Sequence, residues 1–260
     1  MKKNPIKSFF CAIGRGIKNF FMGLTFWILY ILGKPFIRCK VVGKKNVSKT
    51  DEARVFVTNH YEIYGPIAIF LRFPYKFRPW IIDKMMSPES VEQQMGLGIY
   101  SKFPKYPMWL KKIVVKALKN IVVYTLSKRA KGIPVYRDNP RANIKTMQES
   151  VKTLEKGKNI VIFPEETYVE EGVGEFLTGF EHLAKYYHQK TGKKITFYPV
   201  FISQIGKKMF IEKPIVYNPD NDPNEEKIKI TNYLHDTMVE SYIKNEIENE
   251  KLKNNKKMSK

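Results

Sequence analysis

The chain has 260 residues, and its 46 Lys and Arg against 25 Asp and Glu give a formal net charge of +21. Hydrophobic residues make up 43% and aromatic residues 13%, so the composition supports a sizeable core and excludes a chain that is disordered throughout. The charge indicates an anionic partner: nucleic acid, an anionic membrane surface or phosphorylated substrates. A proteome rich in lysine is the alternative explanation.

The two cysteines, Cys11 and Cys39, both lie near the N-terminus. They are too few for a disulfide framework and do not form a Cys-x2-Cys pair that would indicate zinc. We therefore expect a protein that faces the reducing cytosol and binds no metal.

The N-terminal segment predicts a membrane anchor over residues 1–39. Its uncharged part, residues 20–32, covers about 20 Å as a helix, which is less than the hydrocarbon core of roughly 30 Å. No small-residue cleavage site follows it, so we do not expect a cleaved signal peptide. Basic flanks, with Trp27 and Tyr30 near one end, favour a helix or helical hairpin in the interface of an anionic leaflet. A buried core helix is the alternative.

Apolar runs and breaker residues along the rest of the chain predict alternating strands and helices. We predict strands at 55–58, 80–82, 133–136, 159–163, 195–202 and 209–211, with a short strand within 41–47. We predict helices at 113–126, 139–157, 176–187 and 225–249, and one that begins at Pro66. This alternation predicts an α/β fold, a single layered domain over residues 40–249 whose mostly parallel central sheet is flanked by helices. Residues 250–260 form a basic tail that we expect to be disordered.

His60 is the first candidate for chemistry. It follows the strand-like run 55–57, at the end of a strand where α/β folds position reactive side chains. A histidine there can take a proton from a substrate hydroxyl near neutral pH, although a structural role in the turn is the alternative. His182, His188 and His235 lie in polar helical surroundings, and we expect surface roles for them.

Four segments in order carry a resemblance to one family. They are Asn59-His60-x4-Gly65-Pro66, residues 132–137 (Gly-Ile-Pro-Val-Tyr-Arg), residues 161–167 (Val-Ile-Phe-Pro-Glu-Glu-Thr) and Tyr198-Pro199-Val200. Together they resemble the motifs of the glycerolipid acyltransferase family, of the 1-acylglycerol-3-phosphate acyltransferase type, over roughly residues 40–218.

The resemblance implies a role for each matching residue. His60 would be the general base that deprotonates the acceptor hydroxyl, Arg137 would bind the acceptor phosphate, and Glu165 and Thr167 would belong to the acceptor site. From the residues alone, Arg137 can equally be a surface arginine, and Glu165 the acidic residue of a helix N-terminus. The fourth segment helps to shape the acyl-donor site in the family, but we interpret it first as packing.

At residue 65 the chain departs from the family pattern, because Gly65 stands where the family has the Asp that orients the imidazole. Three explanations are open. Glu62 takes over the orienting role, or a carboxylate of another loop does so, or acyl transfer is lost and only lipid binding remains. The candidates from other loops are Asp138, Glu165 and Glu166. We favour a replacement carboxylate and take Glu62 as the catalytic partner of the imidazole.

The sequence thus predicts a membrane-associated O-acyltransferase of phospholipid synthesis. It would move a fatty acyl group from a thioester of coenzyme A or acyl carrier protein to a hydroxyl of lysophosphatidic acid or a related glycerolipid precursor, without a bound cofactor. The expected partners are the acyl donor, the glycerolipid acceptor and an anionic membrane surface, at the cytoplasmic face of the cell membrane, with peripheral or monotopic attachment. We expect no nucleic-acid partner, because no reader motif is present. A non-catalytic lipid- or membrane-binding protein on the same fold is the alternative.

Overall fold

The computed structural model describes residues 5–50, 53–61, 64–102, 104–137, 139–166, 172–203 and 205–247. The chain divides into two compact units. The helical unit contains Met1–Phe36 and Ile81–Lys131, and the sheet unit contains Ile37–Trp80 and Gly132–Lys260. We predicted one layered domain over residues 40–249. The structure instead groups residues 81–131 with the N-terminal helix, because they form helices that pack on one another.

The described helices and strands follow each other in the expected alternation. The α-helices are α1 (Pro5–Phe36), α2 (Tyr64–Arg72), α3 (Pro88–Lys102), α4 (Met108–Tyr124), α5 (Asn143–Glu155), α6 (His182–Thr191) and α7 (Pro223–Tyr242). The strands are β1 (Lys40–Val42), β2 (Ala53–Thr58), β3 (Phe77–Ile82), β4 (Ile133–Val135), β5 (Asn159–Ile162), β6 (Ile195–Ser203), β7 (Lys208–Ile211) and β8 (Ile215–Val216). The prediction for the tail, residues 250–260, lies outside the described residues.

The central sheet has the strand order β1-β7-β6-β2-β5-β3-β4, with β8 also paired to β6. Strand β2 lies between β5 and β6 and is parallel to both, and β3 is parallel to β5. Strands β7 and β8 pair with β6 in the antiparallel sense. The predicted α/β fold with a mostly parallel sheet is therefore confirmed.

The sheet is buried on both faces, as its continuous apolar strands indicate. Successive residues of β2 point to opposite sides, so that Val55 and Val57 lie in one apolar cluster and Phe56 in the other. The first cluster includes Leu154 of α5, Leu183 of α6 and Leu234 of α7, and the second includes Ala68 and Ile69 of α2. Helices thus cover both faces and fix the sheet whose strand ends carry the candidate site.

Two differences from the predicted elements have clear physical reasons. The predicted helix over 176–187 begins only at His182, because Phe176 forms a β-bridge with Glu165 and the Leu177 N–H donates to the Pro164 carbonyl at 2.7 Å. Backbone groups that pair with the segment after β5 cannot also form a helical turn. The other difference is α3, which formed no part of the predicted elements and which carries only a weak apolar periodicity.

The N-terminal segment is one continuous helix of 32 residues, α1, in the position where we predicted the anchor. In the described part of the chain, we find no helix both long enough and apolar enough to cross a membrane. Membrane attachment itself remains a prediction.

Candidate active site

Asn59 fixes the chain where it leaves the carboxyl end of β2. Its side chain is fully buried, its Oδ1 accepts from the Ile202 N–H at 2.8 Å, and its Nδ2 donates to the Ile202 carbonyl at 3.1 Å. Because an amide side chain both donates and accepts, this one residue satisfies both backbone groups of Ile202. The position from which His60 extends is therefore tied to β6.

The turn that carries His60 is held by buried surroundings. The next residue, Tyr61, is buried and has a φ of +40°, in the left-handed region that residues other than glycine seldom adopt. The His60 ring packs edge-on against Phe163, which directly follows β5, with 5.3 Å between ring centroids, and its Nδ1 is buried. A strained turn of this kind persists only where its surroundings determine the conformation, which is typical of a functional site.

Gly65 has a steric reason to be glycine. A Cβ at this position would lie 2.1 Å from the His60 carbonyl oxygen and 2.8 Å from its carbon. The start of α2 therefore approaches the His60 backbone so closely that this backbone has no room for a side chain. The local backbone therefore favours glycine at position 65.

Glu165 joins the segments around His60. It is 5% exposed, its Oε2 accepts from the His60 backbone N–H at 2.6 Å, and its Oε1 accepts from the Gly174 N–H at 2.9 Å. The two oxygens thus connect the end of β2, the end of β5 and the loop that contains Phe176. The contact with His60 acts through the backbone and holds the turn in position.

The charge on Glu165 depends on opposing influences. Burial raises the pKa of the Glu165 carboxyl above its ordinary value, while the hydrogen bonds from His60 and Gly174 and the electrostatic interaction with His235 lower it. His235 lies on α7, and its ring packs edge-on against Phe176 with 5.2 Å between centroids. We expected only a surface role for His235. No local sequence pattern indicates its effect on Glu165, because the two residues are far apart in the chain.

Arg137 lies at the neighbouring turn. It follows β4, is exposed, and its Nη1 donates to the Glu166 carbonyl at 3.4 Å. Because Glu166 directly follows Glu165, the structure brings His60, Glu165 and Arg137 to one region, although they follow three different strands. Tyr198 and Val200 are fully buried in β6, which agrees with a packing role.

Three predicted candidates, Glu62, Asp138 and Thr167, lie outside the described residues. Of the other carboxylates proposed to orient the imidazole, Glu165 contacts the backbone of His60, and Glu166 is exposed next to Arg137. Among the described residues, no three His, Cys, Asp or Glu side chains lie close enough together to hold a metal ion.

Part of this chain is similar to proteins of known class. Residues 103–203 match the model of the Acyltransferase family. This match includes Arg137 and Glu165, but it begins after His60 and so does not include it. A similar solved structure is the crystal structure of the 1-acyl-sn-glycerophosphate (LPA) acyltransferase PlsC from Thermotoga maritima. It has 15% sequence identity and a TM-score of 0.41, and the alignment covers 87% of this chain and 98% of that chain. No curated protein matches this chain.

The family match contains three of the four segments on which the resemblance rests: residues 132–137, residues 161–167 and Tyr198-Pro199-Val200. The match confirms the predicted resemblance over residues 103–203 and supports the prediction of an acyltransferase enzyme.

Proposed function

We propose that this protein is an acyltransferase that moves a fatty acyl group from a thioester of coenzyme A or acyl carrier protein to a hydroxyl of lysophosphatidic acid or a related glycerolipid precursor. His60 acts as the general base. The observation that carries this proposal is the 2.6 Å hydrogen bond from the His60 backbone N–H to Glu165, since it joins the first and third motifs in one site.

The chemistry needs one imidazole nitrogen near the acceptor. Because Nδ1 of His60 is buried, we assign this role to Nε2. Nε2 takes the proton of the acceptor hydroxyl while the hydroxyl oxygen attacks the thioester carbonyl carbon. The C–S bond then breaks, and the imidazolium returns the proton to the leaving thiolate.

Glu165 and Asn59 act as positioning residues. Both carboxylate oxygens of Glu165 accept backbone N–H groups, and the Asn59 amide holds the backbone of Ile202. This role for Glu165 differs from the acceptor-binding role that the resemblance implies, because its oxygens are occupied by the protein backbone. Glu62 as the partner of the imidazole and Thr167 as an acceptor ligand remain predictions.

Arg137 is the candidate ligand for the acceptor phosphate. A guanidinium is permanently charged and carries several N–H donors, so the long contact with the Glu166 carbonyl leaves it able to bind a phosphate. Its exposure beside the Glu165 turn supports this role.

We propose that the protein attaches to the cytoplasmic face of the membrane through α1, as a peripheral or monotopic protein. Exposed apolar side chains recur on α1 at a spacing of three or four residues: Ile17, Phe20, Phe21, Leu24, Ile28 and Ile31. Its opposite face packs within the helical unit, where Gly23 lies close to the Tyr124 hydroxyl and the Arg129 guanidinium lies over Phe26, 5.3 Å from the ring centroid. An apolar face that points outward on a helix with basic flanks suits the interface of an anionic leaflet.

The direct test measures thiol release and acylated product with lysophosphatidic acid and each of the two thioester donors. We expect His60→Ala to lower kcat by about 100- to 10,000-fold, the usual contribution of a general base. His182→Ala is the matched control, since His182 is exposed on α6, and we expect it to keep the wild-type rate. A His60→Ala variant that reacts as fast as the wild type would rule out the proposed mechanism.

A further inference from the structure

The positive charge of this protein is concentrated in the helical unit. The residues of this unit, Met1–Phe36 and Ile81–Lys131, include 16 Lys and Arg but only 3 Asp and Glu. The unit therefore carries +13 of the +21 net charge with one third of the residues. A surplus of this size attracts an anionic surface and repels a second copy of the same unit.

Helix α4 has an outward face on which apolar and basic side chains alternate. Trp109 is 64% exposed and Ile113 is 56% exposed, and the exposed Lys112 and Lys116 follow at helical spacing on the same side. We call these four residues the α4 outer face.

The other side of α4 packs against its own unit. Lys111 and Val115 are buried, and the Lys111 Nζ donates to the Tyr100 carbonyl at 3.1 Å. Lys119 pairs with Glu92 of α3. Helix α4 is therefore fixed in the unit by this side, and the α4 outer face is available to a partner.

An anionic phospholipid surface fits both kinds of side chain on this face. The transfer of tryptophan and isoleucine side chains out of water lowers the free energy, and lysines extend from an apolar surface toward charged headgroups. A second copy of the chain would cover the apolar side chains, but it would bring two units of the same large positive charge together.

We infer that the α4 outer face is a second membrane-binding element, which contacts anionic phospholipid headgroups in addition to α1. The inference deepens the proposed membrane attachment and names its second contact. The headgroup chemistry is that of a phosphodiester surface with net negative charge, and Lys112 and Lys116 supply the complementary cations.

The test compares two isoleucines of nearly equal exposure. Ile113 of the α4 outer face is 56% exposed, and Ile228 on α7 of the sheet unit is 58% exposed. Ile113→Glu and Ile228→Glu change the net charge of the intact protein equally. A difference in vesicle binding between the two variants therefore depends on where the substituted residue lies. We measure sedimentation with vesicles of phosphatidylcholine, with and without phosphatidylglycerol.

We expect Ile113→Glu to lower the apparent partition onto phosphatidylglycerol-containing vesicles by about tenfold or more, since it puts a charge in place of an apolar side chain that membrane binding would bury. Ile228→Glu should bind within about twofold of the wild type, as expected for a site outside the contact. The double variant Lys112→Glu/Lys116→Glu should lose binding to the anionic vesicles while its partition onto phosphatidylcholine alone stays the same.

Two results would overturn the inference. One is equal vesicle binding by the wild type, Ile113→Glu and Ile228→Glu. The other is a wild-type dimer in sedimentation equilibrium without vesicles that Ile113→Glu dissociates, because a second copy would then occupy this face.

A separate assay distinguishes this inference from the proposed function. With acceptor dispersed in detergent micelles, Ile113→Glu should keep the wild-type rate of acyl transfer. If the wild type itself transfers no acyl group to this acceptor, the proposed substrate fails and the vesicle comparison still decides the role of α4.

Discussion

The two units of the molecule differ in the exposure of their apolar side chains. In the sheet unit, β5 and β6 are buried along their whole length, and the buried polar side chains of Asn59 and Glu165 are hydrogen bonded to backbone groups. In the helical unit, α1 alone exposes ten large apolar side chains among the residues that the structure describes. The sheet unit is thus stabilised by its own core, whereas the surface of the helical unit suits an apolar and anionic partner.

The sharpest way to test this contrast is to remove one leucine from each unit. Leu183 of α6 is fully buried, so we expect Leu183→Ala to lower the free energy of unfolding by about 2–5 kcal/mol. Leu24 of α1 is 48% exposed, so Leu24→Ala should change it by less than about 0.5 kcal/mol. Urea unfolding measures both, and equal losses would contradict the contrast between the units.

The next prediction concerns the buried hydrogen bonds of the sheet unit. Asn59→Ala removes both hydrogen bonds to Ile202 and leaves a buried N–H and a buried carbonyl without them. We expect a loss of about 2–4 kcal/mol, because each unsatisfied buried group costs about 1–3 kcal/mol. Asn19→Ala, at an exposed position of α1, is the control and should leave the urea midpoint nearly unchanged. A similar midpoint for both variants would show that the Asn59 contacts do not stabilise the fold.

The space for a side chain at glycine positions also differs between the two units. Gly65→Ala places a Cβ against the His60 carbonyl, so we expect it to cost about 1–3 kcal/mol and to lower acyl transfer by moving the His60 turn. Gly65→Asp carries the same Cβ and should impair the enzyme as well. At Gly16 of α1 a Cβ meets nothing within 4 Å, so Gly16→Ala should be neutral or stabilise by up to about 1 kcal/mol. An active and stable Gly65→Asp variant would contradict this account.

The smallest expected effect is the pH dependence that Glu165 introduces. Its pKa is raised in the folded state above the ordinary value of 4.5, mainly by burial. Its contribution to stability is therefore fully present below pH 4.5 and is lost as the pH rises through the folded pKa. Glu165→Gln cannot titrate, so the difference in unfolding free energy, wild type minus variant, should fall as the pH rises above 4.5. Urea unfolding across this range measures the difference, and an increase with pH would show that the pKa of Glu165 is lowered instead.

Much of the fold was predictable because the strands of the sheet are buried on both faces. The runs around Val55, Val161 and Phe197 have no polar face, and the structure makes them β2, β5 and β6. Gly157 ends α5 as predicted, with a φ of +65°. The helix predicted from Phe176 failed because a β-bridge to Glu165 uses that backbone, and a partner distant in sequence leaves no local signal.

The positions of His60 and Glu165 after apolar strands were predictable, but the contacts that these two residues make were not. His60 and Glu165 each follow an apolar strand, and β2 and β5 lie side by side and parallel, so that their carboxyl ends meet at one edge. The sequence could not indicate that Glu165 holds the backbone N–H of His60, or that His235 influences its charge, since these contacts depend on the packing of segments far apart in the chain.

By itself, the sequence determined the alternation of strands and helices, the strand ends that carry His60 and Glu165, and the excess of positive charge, because each follows from local composition and periodicity. Only the tertiary structure decided which groups meet there, why residue 65 is glycine, and which apolar side chains of α1 and α4 remain exposed. The physical reason is that steric fit and burial depend on neighbours brought together by the fold, and a local pattern cannot specify them.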